Sequence, residues 1–308
     1  MMRMQASAVR AARAGVRALL LAFRFLTTLP IATAMSQAPN EPSLADLRRS
    51  ALFFPLVGAV LGWGVWAVSR GLAGFVSPLG AAVVAVTGYT VATGALHLDG
   101  LMDVADAVAS RRRGSDAIAV MKDSRVGAVG AVAGMLCLAG KIAAITALTG
   151  GAAGWGPFVL VPALARLGMV WAMAGTGPAG SSGLGAVFAR QVPAWVVAGA
   201  TVCALGTSAA AIAWGGPWAG GIAGGDVGDG FGGAGFGGGP VDPVAGWGPA
   251  AWRGSGLWTA AALWAGAVIA VRVYTAWAAR RFGGMTGDLY GALNEGLEWL
   301  GWLWVSHG

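Results

Sequence analysis

The chain has 308 residues, of which 56% are hydrophobic and only 11% are charged, whereas about a quarter of the residues in a typical soluble domain are charged. So many apolar residues cannot all be buried inside a water-facing globule, and the composition therefore indicates an integral membrane protein. The net charge of +7 comes mostly from arginines dispersed along the chain. Because they are not grouped with stacking aromatic residues, nucleic acid is excluded as a partner.

The N-terminal segment, residues 1–31, combines closely spaced arginines with an apolar run that Arg24 interrupts. A basic start before an apolar run is also typical of a cleaved signal peptide. The interruption by Arg24 favours a basic amphipathic helix that lies at the cytoplasmic membrane face or is partly inserted.

Six apolar runs follow, each close to the roughly 20 residues that are needed to cross a bilayer. They lie at about residues 51–69, 79–96, 126–149, 155–174, 193–214 and 257–279. The predicted fold class is all-α, a polytopic integral membrane bundle of about six transmembrane helices. We expect a single membrane domain that covers residues 1–308.

Basic residues in the short loops predict the orientation, because positive charge is retained on the cytoplasmic side. The arginine-rich segments precede the first run and follow the second, fourth and sixth runs. We therefore expect a multi-pass protein of the cell (plasma or inner) membrane with both termini and its active face on the cytoplasmic side. Residues 215–256 are rich in glycine, which disfavours a helix or core, and they are predicted to form a flexible loop insertion.

Aspartates are concentrated directly after the second apolar run. Asp99, Asp103 and Asp106 recur at intervals of four and three residues, so a helix would present them on one face. Carboxylates on one face repel each other unless a cation lies among them. Oxygen ligands suit Mg²⁺, which keeps several waters and bridges to phosphates. We therefore predict a magnesium site here in preference to a merely solvated helix end.

Two further polar segments face the same predicted compartment. In "MKDSRVGAVG", residues 121–130, Lys122 and Arg125 can bind anionic oxygens or serve as interfacial anchors. Gly127 lies at the start of the third run, where a helix N-terminus offers free amides to phosphate. The other segment, "GGMTGDLYGALNE", residues 283–295, carries the hydroxyl of Thr286 and the carboxylate of Asp288. The three segments are predicted to converge at one membrane surface.

Lys141 and Arg166 lie inside predicted transmembrane helices, where a charged side chain is by default functional or paired. Two roles stay open for them, the lining of a substrate cavity and an internal ion pair. His97 precedes Asp99 by two residues. It is a candidate for catalysis or metal binding, with a hydrogen-bonded structural role as the alternative.

Five motifs together resemble the integral-membrane cobalamin synthases, a family also known as adenosylcobinamide-GDP ribazoletransferases. They occur in the family's order and cover most of the chain, with residues 215–256 similar to an insertion. The motifs are "FRFLTTLP" (23–30), "FFPLVGAVLG" (53–62), "GALHLDGLMDVADAV" (94–108), "MKDSRVGAVG" (121–130) and "GGMTGDLYGALNE" (283–295).

The resemblance implies a transferase that joins adenosylcobinamide-GDP to a hydroxyl of α-ribazole or its 5'-phosphate, giving adenosylcobalamin or its 5'-phosphate and releasing GMP. Such chemistry is catalysed mainly by a metal, cations and positioning. Asp99, Asp103 and Asp106 are then the expected Mg²⁺ ligands, and Asp123 or Asp288 is the expected base. His97 remains a further catalytic candidate. The expected substrate-binding residues are Lys122, Arg125, Gly127, Lys141, Arg166 and Thr286.

Two other functions are compatible with carboxylates near helix ends. A membrane phosphotransferase of the CDP-alcohol type also combines aspartates with a diphosphate, but its aspartate motif differs from "DGLMDVAD" here. A divalent-cation transporter usually has ionisable residues near the bilayer midplane and paired repeats. No repeat is visible in this sequence.

Overall fold

The computed structural model describes residues 2–30, 43–151, 153–180, 184–189, 191–216, 218 and 249–307. Within these residues the regular structure is helical, apart from an isolated bridge between Pro178 and Met285. The helices are α1 (Met2–Leu26), α2 (Leu44–Ser50), α3 (Phe54–Leu72), α4 (Pro78–Ala92), α5 (Leu96–Ala109), α6 (Gly114–Met121), α7 (Ala128–Gly150), α8 (Trp155–Gly175), α9 (Leu184–Phe188), α10 (Ala194–Trp214), α11 (Pro249–Phe282) and α12 (Gly287–Ser306), with a 3₁₀ turn (Ala51–Phe53) joining α2 to α3.

Five helical segments of the described chain are long and apolar enough to cross a membrane, namely residues 44–72, 128–150, 155–175, 194–214 and 256–282. The pair α4 and α5 adds a sixth if the two helices are counted together. The predicted all-α membrane bundle is therefore confirmed. Helix α1 packs one face against the bundle through Ala18, Leu21, Ala22 and Leu26, which are buried.

Helix α8 forms the centre of the bundle and is buried along almost its whole length. It approaches α3 closely because glycines line the contact. A Cβ atom on Gly58 would collide with the carbonyl group of Pro162, and one on Gly62 would collide with that of Phe158. Small residues are common where membrane helices cross, because they let the backbones approach closely. In lipid, helices associate through such packing and not through the exclusion of water.

The second predicted span, at about residues 79–96, is interrupted before the aspartates. Helix α4 ends at Ala92, and α5 is turned by 88° relative to it. Gly94 and Ala95 separate the two helices and adopt left-handed conformations with φ of 60° and 55°. Two such residues in succession stop a right-handed helix. The hydroxyl of Thr28 donates a hydrogen bond to the Val91 carbonyl at 2.8 Å, so the end of α1 supports this break.

Helix α12 was not among the six predicted spans, yet its 20 residues are long enough to cross a bilayer. Its first end lies near the last turn of α8, where the Met285 amide donates to the Gly177 carbonyl at 2.9 Å. At its other end the ring of Trp302 packs edge-on against Phe158 with centroids 5.4 Å apart. It therefore runs antiparallel to α8, and the C-terminus lies at the opposite end of the bundle from Asp288. The expectation that the C-terminus shares a side with the active face does not fit this geometry, whereas the side of the N-terminus stays a prediction.

Most of the predicted glycine-rich loop, at residues 217 and 219–248, lies outside the described residues. The predicted end of that loop was wrong, because α11 already begins at Pro249. Its last residues, 249–256, are helical and extend the following membrane helix toward the loop.

Candidate active site

Two glycines allow α5 and α12 to pack in close contact. A Cβ atom on Gly100 would lie 2.8 Å from the carbonyl oxygen of Asp288, and one on Gly291 would lie 3.1 Å from the Cα atom of His97. Real side chains almost never approach so closely, so only glycine permits this spacing. The contact brings the first turn of α12 against the face of α5 that carries the aspartates.

The predicted convergence of these two segments is present in the structure. Asp103 is partly buried and is repelled by the carboxylates of Asp99, Asp288 and Asp106. Asp288 in turn is repelled by Asp99 and attracted by Lys122. Two segments that are far apart in sequence therefore form one acidic cluster, which we define as Asp99, Asp103 and Asp288, and Lys122 from a third segment lies near it.

Asp106 does not belong to this cluster, although its spacing predicted a third metal ligand. Its two carboxylate oxygens accept hydrogen bonds from the amides of Gly127 and Gly130, each at 2.7 Å. These amides belong to the start of α7, where a negative charge is favourable because of the helix dipole. Asp106 therefore caps α7, and the Gly127 amide that was predicted to bind phosphate is already occupied.

A magnesium ion fits the acidic cluster only as a partly hydrated ion. Among the described residues, no three His, Cys, Asp or Glu side chains lie close enough together to hold a metal ion as a closed set. Mg²⁺ is commonly held by one or two carboxylates together with waters and substrate phosphates. Asp103 is partly buried and lies near the carboxylates of Asp99 and Asp288, and carboxylate oxygens are the ligands that Mg²⁺ prefers.

A cavity of about 620 Å³ adjoins the acidic cluster, within the range of about 300–1,000 Å³ typical of small-molecule sites. Its polar lining includes Asp99, Lys122, Thr286 and Asp288. Thr286 also caps α12, because its hydroxyl accepts a hydrogen bond from the Leu289 amide at 3.2 Å. The remaining lining is largely apolar and comes from α1, α5, α6, α8, α9 and α12.

Asp123 and Arg125 are not part of the lining of this cavity. The Arg125 guanidinium donates two hydrogen bonds to the Asp123 carboxylate, at 3.0 and 2.7 Å. These bonds lower the pKa of Asp123 to about 2, so its carboxylate is a weak base at neutral pH. The geometry favours Asp288 over Asp123 as the general base and leaves Arg125 with a surface ion pair.

Lys141 and Arg166 form an internal ion-pair network and do not line this cavity. Lys141 Nζ lies 2.7 Å from Glu295 Oε2 and 2.6 Å from Glu298 Oε2, and Arg166 Nη1 lies 2.6 Å from Glu298 Oε1. Tyr89 donates a further hydrogen bond to Glu298. Because two cations face two carboxylates, the network is balanced in charge, and it ties α4, α7 and α8 to α12. Of the two predicted roles, the internal ion pair is the one the structure supports.

Two buried polar side chains line the cavity without a partner. His97 is 4% exposed and Tyr290 is 2% exposed, and among the described residues neither His97 Nε2 nor the Tyr290 hydroxyl has a hydrogen-bond partner. His97 was a candidate from the sequence, whereas Tyr290 was missed. The only sequence signal for Tyr290 is its position two residues after Asp288, within a predicted site segment.

Comparison with known proteins gives one consistent family. A model of the cobalamin-5-phosphate synthase family matches residues 18–306. The chain is similar to the adenosylcobinamide-GDP ribazoletransferase of Pseudomonas aeruginosa (strain UCBPP-PA14), with 38% identity over 202 residues that cover 63% of this chain and 78% of that protein. The enzyme of the same name from Pseudomonas entomophila is 35% identical over 191 residues, covering 59% and 74% respectively. No solved structure matches the chain.

Proposed function

Since this chain belongs to the cobalamin-5-phosphate synthase family and is a transferase of late cobalamin biosynthesis, we propose that it joins adenosylcobinamide-GDP to α-ribazole or its 5'-phosphate. A ribose hydroxyl attacks the phosphorus atom that carries the cobinamide, the bond from this phosphorus to the bridging oxygen breaks, and GMP leaves. The observation that carries the proposal is the cavity of about 620 Å³ bounded by Asp99, Asp288 and Lys122.

The residues around the cavity supply what a phosphoryl transfer requires. Asp99 and Asp103 hold Mg²⁺, which neutralises charge on the diphosphate. Lys122 binds phosphate oxygens, since it lines the cavity and its charge acts on Asp288. Asp288 accepts the proton of the attacking hydroxyl. The burial of Asp288 favours this step, because burial disfavours the charged form of a carboxylate.

The enzyme lies in the cell membrane with its site at the cytoplasmic face. The arginines after α5 and at the end of α11 support this orientation, since basic residues are retained on the cytoplasmic side. Both groups lie at the end of the bundle that carries the acidic cluster. Arg281 donates a hydrogen bond to the Val108 carbonyl at 3.2 Å, which links α11 to the last turn of α5.

The proposal is tested by measuring GMP release from adenosylcobinamide-GDP by the detergent-purified chain, with and without Mg²⁺ and with and without α-ribazole. Release that needs both additions is the expected result. Detergent micelles hold no ion gradient, so product formation in them cannot depend on transport. A cation transporter would form no GMP. GMP release that is equally fast with and without α-ribazole would contradict the proposed transfer and indicate a hydrolase of the same diphosphate.

A further inference from the structure

One side of the cavity is built for a flat, weakly polar ring. Its lining includes Phe25 from α1, Met169 and Met173 from α8, and Phe188 from α9, and we call these four residues the apolar wall. The rings of Phe25 and Phe188 pack with centroids 5.5 Å apart. Aromatic faces and thioether sulfurs are favourable neighbours for another aromatic ring. The wall therefore suits an aromatic ligand better than a phosphate or a sugar.

The same cavity contains the two unpaired polar groups. Tyr290 and His97 both line it, both are nearly fully buried, and neither the hydroxyl nor Nε2 has a partner among the described residues. A buried polar atom without a hydrogen bond is unfavourable, so native proteins rarely keep one without a reason. A ligand that fills the cavity is the natural source of the missing partners.

From this combination we infer that the apolar wall binds the aromatic base of the ribazole acceptor, and that the Tyr290 hydroxyl donates a hydrogen bond to the ring nitrogen not attached to ribose. His97 Nε2 is the second polar contact of this subsite. The assignment rests on the proposed function and specifies which half of which substrate lies at this wall. It also fits the proposed base, because the ribose of a ligand held there lies next to Asp288.

The guanine of adenosylcobinamide-GDP is the competing aromatic ring. Guanine carries polar atoms along most of its edge and would need several hydrogen-bond partners when buried. Among the described residues of the lining, the buried polar groups without a partner are those of Tyr290 and His97, too few for the polar edge of guanine. A benzimidazole has one free ring nitrogen and an otherwise hydrocarbon edge, so one hydrogen bond from Tyr290 pairs the only polar atom on the edge of the ring.

The substitution Tyr290→Phe tests the assignment, because it removes the hydroxyl and keeps the ring. We expect the KM for α-ribazole to rise about tenfold, equivalent to about 1.4 kcal/mol, with the KM for adenosylcobinamide-GDP unchanged. A riboside in which the free ring nitrogen is replaced by CH gives a second readout. The wild-type chain should prefer α-ribazole to this analogue about tenfold, and Tyr290→Phe should lose that preference.

Tyr274→Phe is the matched control, because the Tyr274 hydroxyl is also buried and has no partner among the described residues but does not line this cavity. It should leave both KM values unchanged. A rise in the KM for adenosylcobinamide-GDP in Tyr290→Phe would overturn the assignment in favour of guanine. If Tyr290→Phe does not fold, a wild-type chain that fails to distinguish the two ribosides overturns it. A wild-type chain that releases no GMP contradicts the proposed function itself and not merely the subsite.

Discussion

The carboxylate of Asp106 shows how one residue can support an active site without touching the substrate. Its hydrogen bonds to Gly127 and Gly130, both 2.7 Å long, fix the start of α7 against α5. A Cβ atom on either glycine would collide with this carboxylate. The interaction therefore needs an acidic side chain on α5 and glycines on α7, and each of the two carboxylate oxygens accepts one of its hydrogen bonds.

Asp106→Ala is expected to lower the free energy of unfolding by about 1–2 kcal/mol, as is typical for the loss of a helix cap. The change leaves the Mg²⁺ concentration for half-maximal activity unaltered, because Asp106 is not a ligand in this account. Thermal unfolding in detergent and a Mg²⁺ titration of GMP release measure the two effects. A large shift in the Mg²⁺ requirement without a loss of stability would make Asp106 a metal ligand.

The ion pair of Asp123 and Arg125 predicts how these residues respond to pH. The pKa of Asp123 is lowered to about 2 by hydrogen bonds from Arg125, below its ordinary value of about 3.9. The contribution of the ionised carboxylate to stability is therefore complete above about pH 4 and is lost as the pH falls through about 2. Asp123 stays ionised throughout the range in which the enzyme is assayed.

Asp123→Asn should accordingly leave the pH profile of GMP release between pH 5 and 9 with the same shape as in the wild-type chain. Turnover should change by less than about fivefold, since exposed ion pairs contribute little. The matched variant Asp288→Asn should abolish turnover at every pH. If Asp123→Asn were instead inactive, Asp123 would be the base and Asp288 would not.

At the scale of helices, the ion-pair network holds α12 in the middle of the bundle. Glu295 and Glu298 are buried on α12, where they face Lys141 of α7 and Arg166 of α8. The same helix carries Asp288 and Tyr290 at its other end. The position of the acidic cluster and of the cavity wall therefore depends on contacts that lie deep in the bundle.

Lys141→Met should destabilise the protein by about 3–5 kcal/mol, because it leaves buried carboxylates without their cation. The double variant Lys141→Met, Glu295→Met should recover part of this loss, since it removes one of the unpaired charges. Thermal unfolding in detergent compares the three proteins. If the double variant were less stable than Lys141→Met alone, the network would not act through charge balance.

Some elements of the fold could be predicted from the sequence and others could not. Apolar length alone identifies α3, α7, α8, α10 and α11 as membrane helices. Helix α12 is not recognised by its apolar length, because Asn294, Glu295 and Glu298 interrupt its apolar sequence. Each of these three side chains is buried in the folded bundle. The break after α4 was also missed, since an alanine such as Ala95 with φ of 55° carries no sequence signal for the left-handed conformation.

The candidate site, too, could be predicted from the sequence only in part. Helical spacing correctly places Asp99, Asp103 and Asp106 near one another, and the motif order predicts that Asp288 joins them. The spacing of residues within α5 cannot show that amides at the start of α7 donate hydrogen bonds to Asp106, because this contact joins two different helices. Tyr290 has no signal of its own, since its importance comes from the absence of a partner in the described structure.

If the acidic cluster between α5 and α12 carries the transfer, the loss of one of its carboxylates must stop product formation by the full chain. The measurement is formation of the joined corrinoid product and GMP by the wild-type chain, Asp103→Asn and Asp116→Asn, with Mg²⁺ and both substrates present. Asp116 lies in the first turn of α6 and is not among the carboxylates that act on Asp103. We predict that Asp103→Asn lowers turnover more than about a hundredfold, beyond the loss typical of outer-shell partners of a metal, and that Asp116→Asn stays near wild type. A folded Asp103→Asn protein with wild-type turnover would contradict this assignment.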